Sequence, residues 1–170
     1  EAEPLKASLY ALGIGVMIIL YSIYYFDEAP TLDRFYTLLL PFMSAMLVVV
    51  LAGNVLTLFI GWELTSVISF LLVSFNGEDE AARKGALQAL IVTGGGGLAL
   101  LVGLVMLGTA AGSMELNQII ANTSLRESPL YIGFTTLILL GCFTKSAQFP
   151  FHFWLPGAMS APTPASAYLH

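Results

Sequence analysis

The fold is decided by residues 35–77, which read FYTLLLPFMSAMLVVVLAGNVLTLFIGWELTSVISFLLVSFNG. This stretch holds 43 residues and a single charged side chain, Glu63. A membrane-spanning helix needs about 20 mostly apolar residues, so the stretch is long enough for two spans. Gly53-Asn54 is the turn-like pair near its middle. We therefore predict a tight reversal there, between spans at 35–52 and 55–75.

The composition of the whole chain also indicates a membrane protein. Of its 170 residues, 57% are apolar and 10% are charged, whereas a soluble domain carries about 25% charged residues. So few charges exclude a soluble monomer, and the high apolar content excludes a disordered chain. Six basic residues and a net charge of −5 argue against nucleic-acid binding. The single cysteine, Cys142, excludes an intrachain disulfide framework.

The charged residues mark where the chain is expected to leave the bilayer. Fifteen of the 17 fall in four clusters, within 1–6, 27–34, 78–84 and 115–127. The uncharged runs between them predict further spans at 7–26, 85–108 and 129–148, an interrupted segment at 150–164, and the start of a sixth span at 165–170.

These runs lack the apolar–polar alternation that barrel strands show. We therefore predict an all-α polytopic membrane protein, a helical bundle with a broken helix near Pro150, as one transmembrane domain over residues 1–170. The chain begins at Glu1 without methionine and ends at His170 inside an apolar stretch. We expect it to be a fragment of a longer protein.

Two charged residues, Glu63 and Lys145, lie inside the predicted spans. Glu63 is the ninth residue of a span that begins at Val55, about 13 Å deep and close to the midplane. Lys145 lies seventeen residues into a span that begins at Pro129. A charge at the centre of a bilayer costs roughly 2.5–3.5 kcal/mol, so both side chains should face protein, water or each other.

Two interpretations of these charges remain open. They could form a buried ion pair that only locks two helices together, although such a pair contributes little stability. Alternatively, they could form a titratable pair on an ion path. Burial disfavours the charged form of each group and their mutual attraction favours it, so the Lys145 proton becomes easier to release when the pair opens. Such a pair is a proton switch, which an arginine would serve poorly because it stays charged.

The sequence after Lys145 predicts a broken helix. Pro150 lacks an N–H group and clashes with the carbonyl four residues earlier, that of Ser146, so the helix should break there and leave unpaired carbonyls. Broken helices at membrane depth mark ion sites in transporters; the alternative is a simple kink or the end of a span. Thr144, Ser146 and Gln148 could hold water near the lysine.

Two histidines and a glycine run complete the candidate features. His152 and His170 could relay protons, although His152, among aromatic residues, could equally be an anchor at the membrane surface. Four consecutive glycines, residues 94–97, leave one helical turn without side chains, which favours close helix packing over a hydration path. The chain has no phosphate-binding loop or paired cysteines, and Glu63 has no histidine near it in sequence. We predict no cofactor and no metal site.

Two sequence motifs resemble one family of membrane proteins. Residues 61–66, GWELTS, and residues 145–170, KSAQFPFHFWLPGAMSAPTPASAYLH, resemble motifs of the antiporter-like subunits shared by respiratory complex I and Mrp-type cation/proton antiporters. The resemblance covers roughly the whole chain, as the third to seventh helices and the start of the eighth. It implies that Glu63 and Lys145 form the family's central ion pair and that His170 passes protons toward the second half of the subunit.

Details of the motifs resemble the branch of the Mrp antiporters that contains their large first subunit. The glycine run after Thr93 and the string FHFWLPGAM fit that branch, whereas complex I subunits tend to carry aspartates where Gly97 and Gly157 stand. Ser160 departs from the glutamate expected in either group.

The resemblance implies a function. We expect a half-channel for protons in a multisubunit Na+/H+ antiporter of the bacterial plasma membrane, a secondary transporter rather than an enzyme, which works with other subunits. The alternatives are a proton-pumping membrane subunit of NADH:quinone oxidoreductase and a purely structural membrane scaffold.

Overall fold

The computed structural model describes residues 2–77 and 79–169, and helices dominate both ranges. The prediction of an all-α polytopic membrane protein with an interruption near Pro150 is confirmed. The helices are α1 (Ala2–Tyr25), α2 (Ala29–Leu51), α3 (Val55–Val73), α4 (Glu80–Ala111), α5 (Leu116–Ala121), α6 (Tyr131–Lys145), α7 (Leu155–Ala158) and α8 (Thr163–Leu169), with 3-10 turns at Thr123–Glu127 and Phe151–Trp154.

Within the described residues, the four helices α1 to α4 are long and apolar enough to cross a membrane. Three of them begin several residues before the spans predicted from charge placement, because the charged residues near their ends belong to the helices. Lys6 lies inside α1, Arg34 inside α2 and Lys84 inside α4. A charge marks the edge of the hydrocarbon layer, but it does not end a helix.

The two helices α4 and α6 pack against each other and differ strongly in length. α4 has 32 residues, which is about 48 Å and longer than a hydrocarbon core of about 30 Å. α6 has only 15 residues, which is about 22 Å. The short α6 therefore ends within the depth of the bundle, and the chain continues through the 3-10 turn and the short helix α7.

The bundle is arranged around α4, which packs against α3, α6 and α7. α2 packs on α3 and α1 packs on α2, while α8 lies against α1 and α3. The reversal between α2 and α3 falls at residues 52–54, where the Asn54 side chain accepts a hydrogen bond from the Thr57 N–H at 2.8 Å. This cap satisfies one of the free N–H groups at the start of α3.

Specific contacts hold the helices together at each end of the bundle. At one end, the N–H of Val55 donates to the Met114 carbonyl at 3.0 Å and the N–H of Leu116 donates to the Gly53 carbonyl at 2.9 Å, which joins two loops. At the other, Phe26, Phe35 and Phe75 pack with ring centroids 5.1 to 6.1 Å apart. These contacts hold the ends of the long helices in register.

The segment after α6 is held against α4 by two glycines. A Cβ placed on Gly85 of α4 would lie 2.6 Å from the Gly157 carbonyl carbon and 2.9 Å from the Gly157 Cα. The backbones of α4 and α7 therefore touch directly, and only glycine fits at the contact. Gly13 of α1, by contrast, has no atom within 4 Å of such a Cβ.

Gly85→Ala is expected to destabilise the protein, because the added methyl group meets backbone that has no side chain to rotate away. Overpacking of this kind costs about 1–3 kcal/mol. The measurement is the melting temperature of the purified protein in detergent. Gly13→Ala is the matched control and should leave that temperature unchanged or raise it slightly, since alanine is the better helix former. Equal melting temperatures for the two variants would contradict the Gly85–Gly157 contact.

Candidate functional site

The end of α6 determines where Lys145 lies. Ala147 adopts a left-handed conformation with φ of 50°, and the N–H of Gln148 donates to the Phe143 carbonyl at 2.9 Å. This is the geometry of a Schellman motif, which usually places glycine at the left-handed position. The motif ends the helix at Lys145 and turns the chain away from the helix axis.

The break differs from its prediction in two respects. The helix ends five residues before Pro150, which lies at the start of the 3-10 turn. The carbonyls were predicted to be unpaired, and for two of them that was wrong: the Thr144 carbonyl accepts from the Trp154 indole N–H at 2.9 Å, and the Ser146 carbonyl accepts from the Gln148 side chain at 3.3 Å. The left-handed turn supplies Gln148 and the 3-10 turn supplies Trp154, so the break is an ordered helix end.

The Lys145 ammonium group lies against α3. Its Nζ donates to Thr65 Oγ1 at 2.9 Å and to Ser66 Oγ at 2.7 Å. Both hydroxyl residues are buried, with 2% and 1% of their surface exposed. Because an ammonium group inside a bilayer must be solvated by protein or water, these two hydroxyls replace part of its hydration shell.

The Trp62 indole lies beside the same ammonium group. Lys145 Nζ is 5.6 Å from the centroid of the Trp62 ring, within the range of a cation–π contact. The Trp62 Nε1 atom is itself buried and has no hydrogen-bond partner among the described residues. Trp62 therefore contacts the ammonium group through the face of its ring and not through its N–H group.

Glu63 points toward α4 and makes no salt bridge with Lys145. Its carboxylate lies against Gly97, where any Cβ would overlap Oε1. Oε1 is buried and without a hydrogen-bond partner in the described part of the chain. The salt bridges found in residues 2–77 and 79–169 are the exposed pairs Glu3–Lys6 and Glu80–Lys84. Glu63 and Lys145 thus interact electrostatically without direct contact.

A small cavity opens beside Lys145. Its volume is about 60 Å³, and its polar lining comes from Thr65, Ser69, Thr93 and Lys145. A cavity needs roughly 10–15 Å³ and polar partners to hold a water molecule, so this cavity is large enough to hold water. Water in this cavity can contact the ammonium group directly.

The glycine run of α4 brings α3 and α6 together. A Cβ on Gly96 would overlap the Thr144 side chain of α6, and a Cβ on Gly97 would overlap the Glu63 carboxylate of α3. The predicted close packing therefore occurs at these two residues. Gly94 and Gly95 have no neighbour within 4 Å of an added Cβ, so that side of the turn is open.

The other candidate residues that the structure describes form no hydrogen bond to the ammonium group. The Thr144 hydroxyl donates to the Gly141 carbonyl at 2.8 Å, and the exposed Ser146 hydroxyl donates to the Cys142 carbonyl at 2.7 Å. His152 is exposed and stacks on Phe149 with ring centroids 5.8 Å apart. His170 lies outside the described residues.

The hydroxyl groups that contact Lys145 were not predicted from the sequence. Thr65 and Ser66 directly follow the Trp-Glu-Leu motif, and Glu63 and Ser66 lie three residues apart, one helical turn. Their nearness to an intramembrane glutamate was a signal that could have found them. Among the described residues, no group of three or more histidine, cysteine, aspartate or glutamate side chains is placed to hold a metal ion.

These features define a polytopic helical membrane protein that carries a glutamate and a lysine within its helices, with a cavity beside the lysine. The chain belongs to the NADH:quinone oxidoreductase/Mrp antiporter transmembrane family, whose sequence profile matches residues 52–170. The family resemblance inferred from the two motifs is thereby confirmed.

Two curated relatives and one solved structure extend this assignment. The chain is 53% identical over 159 residues to the A/B subunit of a probable K+/H+ antiporter of Rhizobium meliloti, covering 93% of this chain and 16% of the relative. It is 52% identical over 164 residues to the A1 subunit of a Na+/H+ antiporter of Staphylococcus haemolyticus, covering 96% and 20%. A chain of the Mrp complex from Dietzia sp. DQ12-45-1b matches with a TM-score of 0.87 and 36% identity, covering 96% of this chain and 18% of that one.

The chain spans about a fifth or less of the length of these relatives. It therefore corresponds to one part of each longer protein.

The left-handed end of α6 can be tested at Ala147. A β-branched residue is strongly disfavoured at this φ, whereas glycine adopts it freely. Ala147→Val should therefore destabilise the protein by about 1–3 kcal/mol and lower its melting temperature in detergent, while Ala147→Gly should leave that temperature unchanged or raise it. Equal melting temperatures for the valine and glycine variants would contradict the left-handed conformation at Ala147.

Proposed function

We propose that this chain is a proton-translocating half-channel within one subunit of a multisubunit Na+/H+ antiporter of the bacterial plasma membrane. In this proposal, Lys145 takes up and releases the proton, and Glu63 changes how easily it does so. His170 receives the proton on the way to the second half of the subunit. The remaining subunits of the antiporter complex are the partners that couple this step to cation movement.

One observation carries the proposal. The Lys145 ammonium lies at membrane depth on two neutral hydroxyls, next to a cavity of about 60 Å³, and it is not joined to Glu63 by a salt bridge. A lysine held in this way can exchange its proton with water in the cavity. The curated relatives, which are named as Na+/H+ and K+/H+ antiporter subunits, support the same function.

The chemistry of the step follows from the two charges. When Glu63 approaches, its negative charge stabilises the ammonium form of Lys145; when it withdraws, the proton passes more easily from Nζ to a water molecule in the cavity. The carried ion at this site is a proton rather than Na+, because a charged lysine repels a metal cation.

A second candidate function comes from the family itself. Its description covers NADH:quinone oxidoreductase as well as Mrp antiporters, and the same proton step would serve a redox-driven pump. The composition of the purified native complex separates the two: redox subunits that co-purify with the full-length protein would favour the oxidoreductase, and their absence from an active antiporter complex would favour the antiporter.

Lys145→Ala and Glu63→Gln are each expected to abolish cation/proton antiport by the full-length complex in everted vesicles, while the complex still assembles. The first removes the group that carries the proton, and the second removes the charge that tunes it. The exposed pair Glu80–Lys84 on α4 provides matched controls, since exposed ion pairs contribute little: Lys84→Ala and Glu80→Gln should transport normally. Normal transport in both Lys145→Ala and Glu63→Gln would overturn the proposal, and a loss of assembly with transport retained per complex would favour a scaffold.

Gly97→Ala should impair antiport although both charged residues are kept. The added methyl group occupies the position of the Glu63 carboxylate and pushes it away from α4. We expect the rate to fall about tenfold or more, since a displacement of about 1 Å in a catalytic arrangement can cost about a hundredfold. Gly94→Ala, whose methyl group meets open space, is the control and should transport at the original rate. Equal rates for the two variants would remove Glu63 from the mechanism.

A further inference from the structure

The hydroxyls of Thr65 and Ser66 are fixed as acceptors. Each of them donates its own proton to the Trp62 carbonyl, Thr65 at 2.7 Å and Ser66 at 3.3 Å. A hydroxyl has one proton to donate and two lone pairs that accept. Thr65 places its proton in a short bond to the backbone of α3 and Ser66 in a longer one, so in this arrangement both hydroxyls present lone pairs to Lys145.

A pair of fixed acceptors distinguishes the two protonation states of a lysine. The ammonium form has three N–H donors and no lone pair, so it can satisfy both hydroxyls at once and still donate to a third group. The neutral amine has one donor fewer, and its lone pair finds no donor on these two hydroxyls. The two acceptors therefore hold the ammonium form preferentially, without supplying a negative charge.

Glu63 lies on the same helix, within reach of the same side chain. Glu63 and Ser66 are three residues apart on α3, a rise of about 4.5 Å along the axis. The four-carbon stem of a lysine is flexible enough to move its ammonium group over such a distance. In the arrangement observed, the lysine occupies the hydroxyl position, and Glu63 Oε1 has no hydrogen-bond partner among the described residues.

We infer that Thr65 and Ser66 form a second, uncharged docking position for the Lys145 ammonium, which competes with the Glu63 carboxylate. The lysine alternates between an ion pair with Glu63 and hydrogen bonds to the two hydroxyls. Thr65 and Ser66 are positioning residues: they keep the protonated lysine beside the cavity after it leaves Glu63. This inference deepens the proposed function and rests on it.

The surroundings of Lys145 supply no other charge in the described part of the chain that could take over this role. Glu63 on α3 is the charged group that interacts with it. α4 presents Thr93 to the cavity, and the segments after α6 present Trp154 and apolar side chains. The Thr93 hydroxyl donates to its own helix, to the Ala89 carbonyl at 2.8 Å, and it makes no hydrogen bond to the lysine.

The experiment measures cation/proton antiport and its pH profile in everted vesicles that contain the full-length complex. The variants are Thr65→Val, Ser66→Ala and the double variant, which keep the approximate shape of the site and remove the acceptors. The controls are Thr109→Val and Ser44→Ala, whose hydroxyls are exposed and donate only to their own helices. Thr65→Ser and Ser66→Thr keep an acceptor at each position and serve as conservative variants.

We expect the double variant to transport at about a hundredth of the original rate, since each of the two lost bonds to a charged group is worth about tenfold. Its pH profile should also move toward lower pH, because the protonated lysine has lost its acceptors. Each single variant should show a smaller change in the same direction. The conservative variants and the two controls should keep both the transport rate and the pH profile. This result would show that the loss in the double variant comes from the missing acceptors and not from a general structural defect.

Two results would overturn the inference. One is an unchanged pH profile in the double variant while Lys145→Ala is inactive, which leaves the proposed function in place and removes the docking position. The other is an equal loss in the conservative variants, which would show that the shape of the site matters and its acceptors do not. If the double variant does not assemble, Ser66→Ala alone decides, because it removes the shorter of the two bonds. Transport by Lys145→Ala, in contrast, would refute the proposed function itself.

Discussion

The arrangement of this protein depends on how one ammonium group is solvated at membrane depth. An isolated charge in hydrocarbon is costly, and a lysine there must find acceptors or water. Lys145 has two buried hydroxyls on α3 as acceptors, and beside it lies a cavity large enough to hold water. The helices around the site are placed so that these partners reach the end of α6.

The glycine run of α4 is the element that sets this placement. Gly96 touches Thr144, the residue before the lysine, and the next residue, Gly97, touches Glu63. Two adjacent residues of one helix therefore contact the helices that carry the two charges. Side chains at these positions would push Glu63 of α3 and Thr144 of α6 away from α4, so the two glycines help to set where both charged residues lie.

Much of the fold and part of the site followed from the sequence, for identifiable physical reasons. Long uncharged runs predict spanning helices because only apolar residues are stable in hydrocarbon. The helices continue past those runs because Arg34 and Lys84 are compatible with a helix and lie where the lipid ends. Charge placement marks the membrane boundary, and helix ends depend on capping and packing instead.

The end of α6 and the partners of Lys145 could not be predicted in the same way. The helix ends at a left-handed alanine, Ala147. At this position of a helix end, the left-handed conformation is expected for glycine or asparagine and not for alanine. Hydroxyl groups in membrane helices commonly bond to their own backbone, as Ser44 does. The bond to its own helix does not distinguish Ser66 from Ser44; the contact that does is made by Lys145, 79 positions away along the chain.

The placement of the charges bears on whether they lock the helices together or move. A pair that served only as a lock would be expected to close, because attraction between opposite charges is strong in a medium of low dielectric constant. Here α3, α4 and α6 are held by glycine contacts, and the end of α6 is held by the Trp154 indole. The packing does not require a salt bridge between Glu63 and Lys145. Neutral acceptors attract the ammonium less strongly than a carboxylate does, so the lysine can leave them again, which a switch requires and a lock does not.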